Sequence, residues 1–191
     1  AWRVPEVDVV LSNGFRFCPP KSTPDQTGKI PITEGFIFDM LPVDSYVRKA
    51  KATGTQIKEW LEKELNNVFA KNAAERFGGW VVKFKGMEIT FNAFGEKGKR
   101  VQSVMIGDMP LDPERLYTIS ACERDGDPAD MLCRIKGVKD AVNTPFTLHE
   151  VMRSYLKANS PVTPTPPMAA KILDGPQSLL TQVTGVNYSF R

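Results

Sequence analysis

The chain has 191 residues, 41% of them hydrophobic and 25% charged, and its 25 basic and 22 acidic residues give a net charge of +3. This composition is typical of a globular protein, and the length favours one main domain. The small, dispersed charge disfavours binding to a nucleic acid polymer, and the longest apolar runs are too short to predict a transmembrane span. The three cysteines are too few and too far apart for a disulfide scaffold or a zinc site.

The predicted elements begin with an apolar strand at residues 9–11, which runs into the polar turn Ser12-Asn13-Gly14. Because this strand starts almost at the first residue, we expect the chain to be a segment of a longer protein. Thr33 begins a short helical turn that ends before Pro42. Residues 45–51 then alternate as in a half-exposed strand.

The clearest helix begins at the capping box of Thr53 and Gln56 and extends to about residue 71. Its apolar stripe predicts one face in the core and the opposite face in water. The predicted core residues are Ile57, Trp60, Leu61, Leu65 and Val68, and the predicted water-facing residues are Lys58, Glu59, Glu62 and Lys63.

Further strands are predicted at residues 80–84, 87–91, 101–106 and 116–121, with glycine-containing turns between the first three. A second capping box, Thr147 and Glu150, begins a helix that extends to about Ala158. The residues of this helix predicted to face inward are Leu148, Val151, Met152, Tyr155 and Leu156. Strands and helices mix without a strict alternation, which predicts an α+β fold with a mixed sheet and packed helices.

The predicted domain covers residues 1–160. Residues 160–167 contain four prolines, as expected of a linker. Residues 161–191 are therefore predicted to be a proline-rich linker and a tail that packs back on the domain, with one apolar helical turn around Leu179 and Leu180.

His149 is the single histidine of the chain, so a multi-histidine metal centre cannot be built from these residues. It falls in the first turn of the second capped helix, where an exposed polar residue is expected. We therefore favour a structural role for His149 over a catalytic one, and predict neither catalytic residues nor metal ligands in this chain.

Three other features have two interpretations each. The segment Asp125-Gly126-Asp127 is either a turn, with Asp127 capping a helix over residues 128–134, or a ligand contact at a strand end. The pair Gly78-Gly79 is either a helix stop or an exposed backbone at a cleft. Arg16 forms either a surface ion pair or a contact to an anionic ligand.

Landmarks in a fixed order make the chain resemble the C-terminal domain of the 5′-nucleotidase family of two-domain metallophosphoesterases. They comprise Asn13-Gly14-x-Arg16, Ile32-Thr33, Leu41-Pro42, Thr53-Gly54-x-x-Ile57, Gly78-Gly79, Pro110-Leu111-Asp112, and Tyr117 before Asp125-Gly126-Asp127.

The resemblance implies a domain that binds the non-reacting part of a substrate. In that family, two divalent metal ions and a His–Asp pair belong to a preceding metallophosphoesterase domain, which is the partner expected here. The matched substrate-binding positions are Asn13, Gly14, Arg16, Gly78, Gly79 and Asp127. At the last position, Asp125 is the alternative match.

Two departures concern the substrate. Family nucleotidases clamp a base between two phenylalanines, where this chain has Val43 and Ala121. The loss of stacking, about 1–3 kcal/mol per base, argues against a nucleoside. The amino-acid sequence from Ser12 to Phe17 resembles that of a branch of the family from bacterial sulfur oxidation. Members of this branch are dimanganese thiosulfohydrolases, which release sulfate from a cysteine S-thiosulfonate on a carrier protein.

Three hypotheses follow. We favour a substrate-recognition domain of a periplasmic dimetal hydrolase, with manganese the expected metal, that acts on a small anionic substrate or on a carrier protein. The alternatives are a nucleotide-specific 5′-nucleotidase domain and a non-catalytic binding module.

Overall fold

A computed structural model describes residues 6–12, 24–77, 83–122, 125–163 and 169–175. The helices in these ranges are α1 (Glu34–Met40), α2 (Gly54–Phe69) and α3 (Leu148–Asn159), with a short 3-10 turn at Ala73–Glu75. The strands are β1 (Val9–Ser12), β2 (Tyr46–Thr53), β3 (Lys83–Lys85), β4 (Met87–Phe91), β5 (Val101–Ile106), β6 (Met109–Pro110), β7 (Leu116–Cys122), β8 (Met131–Leu132), β9 (Ile135–Lys136), β10 (Lys139–Thr147) and β11 (Ala170–Ile172).

The larger sheet has five strands in the order β10-β2-β7-β1-β3. β1 lies parallel to β7, and the other neighbouring pairs are antiparallel. The predicted mixed sheet and α+β class are therefore confirmed. Of the strand predicted at residues 80–84, residues 80–82 lie outside the described residues.

A second sheet has the order β11-β4-β5-β6, in which β11 runs parallel to β4. The hydrophobic core combines the apolar stripe of α2 with residues of both sheets. Its members include Val9, Ala50, Ile57, Trp60, Leu61, Ile89, Val104, Ile119 and Ala121. α2 thus joins the two sheets through one continuous core.

All three helices begin where the sequence predicts. The Thr33 hydroxyl accepts from the Phe36 backbone N–H, and complete capping boxes open α2 at Thr53 and α3 at Thr147. These caps satisfy backbone donors that a first helical turn leaves without partners. Local sequence therefore fixes the helix starts.

The prediction that Glu62 faces water is wrong. Its side chain is 9% exposed, and its carboxylate accepts from the backbone N–H groups of Arg100 and Val101 at 3.0 and 2.7 Å. Arg100 is buried as well and donates to the Ala93 carbonyl and to Asn66 Oδ1. These paired polar groups connect α2 to the β4–β5 hairpin.

The predicted inward face of α3 is only partly buried, and Tyr155 does not belong to it. α3 contacts α1 and β10 at the periphery, so its apolar residues are at most half-buried, and Tyr155 is exposed. The buried residue of α3 is His149, which was expected to be exposed.

The helix predicted over residues 128–134 does not form. The Met131 N–H donates to the Pro128 carbonyl in a turn, and β8 and β9 then form a tight hairpin. Cys133 and Arg134 both have positive φ at its tip. Leu132 and Ile135 are both buried, and their spacing of three residues fits a helix as well as this hairpin.

Candidate functional site

Several chain segments meet at one edge of the five-stranded sheet, which we call the Ser12 edge. Ser12 pairs with Lys83 across the antiparallel β1–β3 ladder. Val10 pairs with Ser120 across the parallel β1–β7 ladder, so β1 and β7 end on the same side. Val47, near the start of β2, pairs with Cys122 at the end of β7. The Ser12 edge therefore consists of the ends of β1 and β7 and the starts of β2 and β3.

Five of the six predicted site residues lie outside the described residues: Asn13, Gly14, Arg16, Gly78 and Gly79. Their roles stay predictions. The strands beside them are described. Asn13 directly follows Ser12 in the chain, and Gly79 precedes Lys83 by four residues. Both flanking strand residues, Ser12 and Lys83, belong to the Ser12 edge.

Asp127 follows β7 beyond this edge, in a turn. Gly126 has φ of +84°, a conformation that glycine adopts at little cost, and Asp127 is half-buried after it. The turn folds back toward β2, because the Ala129 carbonyl oxygen lies 3.5 Å from the Arg48 guanidinium. Asp127 therefore belongs to the segment that follows the end of β7, the kind of position where polar ligands contact sheets.

Val43 and Ala121, which stand where family nucleotidases have the two clamping phenylalanines, have different surroundings. Val43 precedes β2 at the Ser12 edge and is 58% exposed. Ala121 is 5% exposed and belongs to the hydrophobic core, so its methyl group offers no face to a ligand. Tyr46, within the predicted half-exposed strand at residues 45–51, is an exposed aromatic residue at this edge that the sequence did not single out.

A network of hydrogen bonds holds the segment before β2, residues 41–45, against the start of α3. His149 Nε2 lies 2.6 Å from the Leu41 carbonyl oxygen, and the His149 backbone N–H donates to Asp44 Oδ1 at 2.8 Å. The Leu148 N–H donates to the Ser45 carbonyl at 3.0 Å. The predicted structural role of His149 therefore has a defined geometry, which sequence spacing alone could not reveal.

The described ranges contain no group of three or more His, Cys, Asp or Glu side chains that could hold a metal ion. No helix within those ranges is long and apolar enough to cross a membrane.

Residues 3–122 match the family model described as "5'-nucleotidase, C-terminal domain". Solved structures agree with this match. A 5′-nucleotidase precursor from Thermus thermophilus is 22% identical, with a TM-score of 0.64 over 89% of this chain and 32% of its own length. The sulfate thiohydrolase SoxB from the same organism is 25% identical, with a TM-score of 0.67 over 97% of this chain and 30% of its own.

The NAD nucleotidase of Haemophilus influenzae is 16% identical, with a TM-score of 0.62 over 87% of this chain and 30% of its own. The chain thus spans about a third of the length of the solved structures that it matches. A comparison with curated protein sequences gave no significant match.

Proposed function

The chain belongs to the family of 5′-nucleotidase C-terminal domains, and from this premise we propose that it is the substrate-recognition domain of a two-domain dimetal hydrolase. The proposed substrates are phosphate or sulfate esters, with a cysteine thiosulfonate favoured. Two divalent metal ions, manganese in our proposal, belong to a partner metallophosphoesterase domain. We assign no catalytic step to the residues of this chain, and we propose a periplasmic location.

The observation that carries the proposal is the convergence of strands at the Ser12 edge. The pairing of Ser12 with Lys83 and of Val10 with Ser120 brings together the strands that flank Asn13, Gly79 and Asp127. Residues far apart in the sequence can then contribute to one ligand site, as the family resemblance requires.

The proposed ligand contacts follow from the chemistry of these residue types. The Arg16 guanidinium is a planar donor that stays charged and matches anionic oxygens. The glycines at positions 14, 78 and 79 allow a ligand to approach backbone N–H groups closely. Asp127 supplies an acceptor for a hydroxyl or N–H group of the non-reacting part of the substrate.

The residues that replace the aromatic clamp support a thiosulfonate over a nucleotide. Val43 is exposed but aliphatic, and Ala121 is a core residue, so neither can stack on a base. The similarity to SoxB, which extends over 97% of this chain, supports the same branch.

An NMR titration of the isotopically labelled 191-residue chain tests the proposal. A peptide with a cysteine S-thiosulfonate should shift amide signals around Ser12, Lys83 and Asp127, and the same peptide with an unmodified cysteine should not. Adenosine monophosphate should bind only in the millimolar range or weaker, about −4 kcal/mol. Tight nucleotide binding would favour the nucleotide-specific alternative, and binding of neither probe would contradict substrate recognition.

A further inference from the structure

We propose that His149 is a positioning residue that holds residues 41–45 at the Ser12 edge and thereby fixes Val43 where a substrate would pass. This inference deepens the proposed function and, for its effect on ligand binding, rests on it. The geometric part concerns one side chain and the segment that it fastens, and it can be tested without any ligand.

The bond between His149 and Leu41 determines where the histidine carries a proton. A carbonyl oxygen only accepts hydrogen bonds, so Nε2, at 2.6 Å from the Leu41 oxygen, must be the donor. His149 is 1% exposed, so water cannot replace this donor without a local opening. Loss of the imidazole would leave the Leu41 carbonyl without this partner.

Two further bonds from the first turn of α3 fasten the other end of the segment. The His149 N–H donates to Asp44 Oδ1, and the Leu148 N–H donates to the Ser45 carbonyl. His149 thus contacts the segment on both sides of Val43, through Nε2 before it and through the backbone N–H after it.

An aromatic ring packs against the imidazole, while its Nδ1 is buried and has no hydrogen-bond partner among the described residues. The Phe38 ring of α1 meets it edge to face, with 4.5 Å between the ring centroids. Asp44 Oδ2 lies 3.6 Å from Nδ1, which is beyond hydrogen-bond distance, so the side chain bonds to the segment through Nε2. By contrast, Val43 has 58% of its side chain exposed, so the bonds of its neighbours rather than its own burial determine its position.

The test compares three variants of the 191-residue chain. His149→Leu removes the side-chain donor, and His149→Gln keeps an N–H donor at similar reach. Arg153→Ala is the matched control, because Arg153 lies one turn along α3, pairs with Glu34 of α1 at 2.7 Å and lies over the Phe38 ring of α1, whereas the bonds to Leu41, Asp44 and Ser45 come from His149 and Leu148. The Arg153→Ala substitution should loosen the packing of α3 on α1 and leave the hydrogen bond between His149 and the Leu41 carbonyl in place.

Backbone order parameters from 15N relaxation provide the main readout. In the His149→Leu variant, the order parameters of Asp44 and Ser45 should stay high, because their bonds come from backbone N–H groups that the substitution keeps. Those of Leu41 and Val43 should fall from about 0.85 to below about 0.6, the range of flexible segments. They should stay high in His149→Gln and Arg153→Ala. High values at Leu41 and Val43 in His149→Leu, or an equal fall in Arg153→Ala, would overturn the proposal.

A spectroscopic measurement on the unaltered chain keeps the proposal testable if His149→Leu does not fold. His149 is the only histidine, so its ring nitrogen signals are unambiguous. They should report a protonated Nε2 at neutral pH, and an unprotonated Nε2 would overturn the proposal.

The thiosulfonate peptide separates the two proposals. If the unaltered chain binds it, His149→Leu should weaken that binding about tenfold, and His149→Gln should restore it. Unchanged affinity in His149→Leu would refute the effect on the site. If the unaltered chain does not bind the peptide, the proposed function fails, and the order parameters still decide whether His149 positions the segment.

Discussion

Gly54 and Asp112 approach so closely that a Cβ atom on Gly54 would overlap the Asp112 carbonyl oxygen. The Tyr117 hydroxyl accepts from the Asp112 backbone N–H at 2.8 Å, and Tyr117 is buried. All three residues belong to the landmarks of the family resemblance. They lie where Thr53 pairs with Leu116, at the edge of the sheet opposite the Ser12 edge. We therefore interpret these landmarks as packing requirements at the start of α2 rather than as ligand contacts.

The first prediction is that Gly54→Ala lowers the free energy of unfolding by about 1–3 kcal/mol or more, because the added methyl group overlaps a backbone oxygen. Gly35→Ala is the matched control. Gly35 lies in α1, where a Cβ atom has room, so alanine should stabilise the chain by about 0.4–1 kcal/mol. Urea unfolding measures both changes. Equal effects of the two substitutions would contradict the close approach.

The second prediction concerns Glu62, whose carboxylate accepts from two backbone N–H groups. Glu62→Gln should lower the free energy of unfolding by about 1.5–3 kcal/mol, since one N–H then loses its charged acceptor. The exposed Glu59 lies on the same helix, and Glu59→Gln should change stability by less than about 0.5 kcal/mol. Similar unfolding midpoints for the two variants would rule out a structural role for the Glu62 carboxylate.

The third prediction is a pH dependence caused by Glu64. Burial raises the pKa of its carboxyl above the usual value of 4.5, although Arg134 at 2.9 Å acts in the opposite direction. The folded state therefore holds this proton more tightly than the unfolded state does. The resulting stabilisation is fully present below the unfolded-state pKa and is lost as the pH rises through the folded-state pKa.

Unfolding experiments with the unaltered chain and the Glu64→Gln variant test whether the stabilisation by Glu64 is lost, as expected, when the pH rises. The free energy of unfolding of the unaltered chain, relative to the variant, should be larger at about pH 4 than at about pH 7. Glu88→Gln, at an exposed position of β4, is the control for the replacement of a glutamate by glutamine. A relative stability that instead rises with pH would show that the attraction of Arg134 outweighs burial.

The features that the sequence predicted correctly are local ones. Thr33, Thr53 and Thr147 each cap a helix within a few residues, so their signals need no tertiary information. Most strands were predictable for the same reason, since an apolar pattern bounded by glycine-containing turns is sufficient.

The features that the sequence did not reveal depend on distant partners. Glu62 is buried because Arg100 and Val101 bring donors from another element. His149 is buried because Leu41 and Asp44 lie across the start of α3. At the candidate site, the pairing of strands was likewise invisible in the sequence, since the parallel alignment of β1 with β7 joins residues more than a hundred positions apart.

The last prediction concerns Arg16, which matches a position at or beside the substrate pocket of the family that the chain resembles. If its guanidinium donates to a charged oxygen, Arg16→Ala should weaken binding of the thiosulfonate peptide by about 1.5–3 kcal/mol, with little change in unfolding. Arg115→Ala is the matched control, because Arg115 precedes β7 at the opposite edge, where its guanidinium lies over the Tyr117 ring. It should leave the affinity unchanged. Calorimetry would refute the assignment of Arg16 if both variants bound the peptide as the unaltered chain does, or if both lost affinity equally.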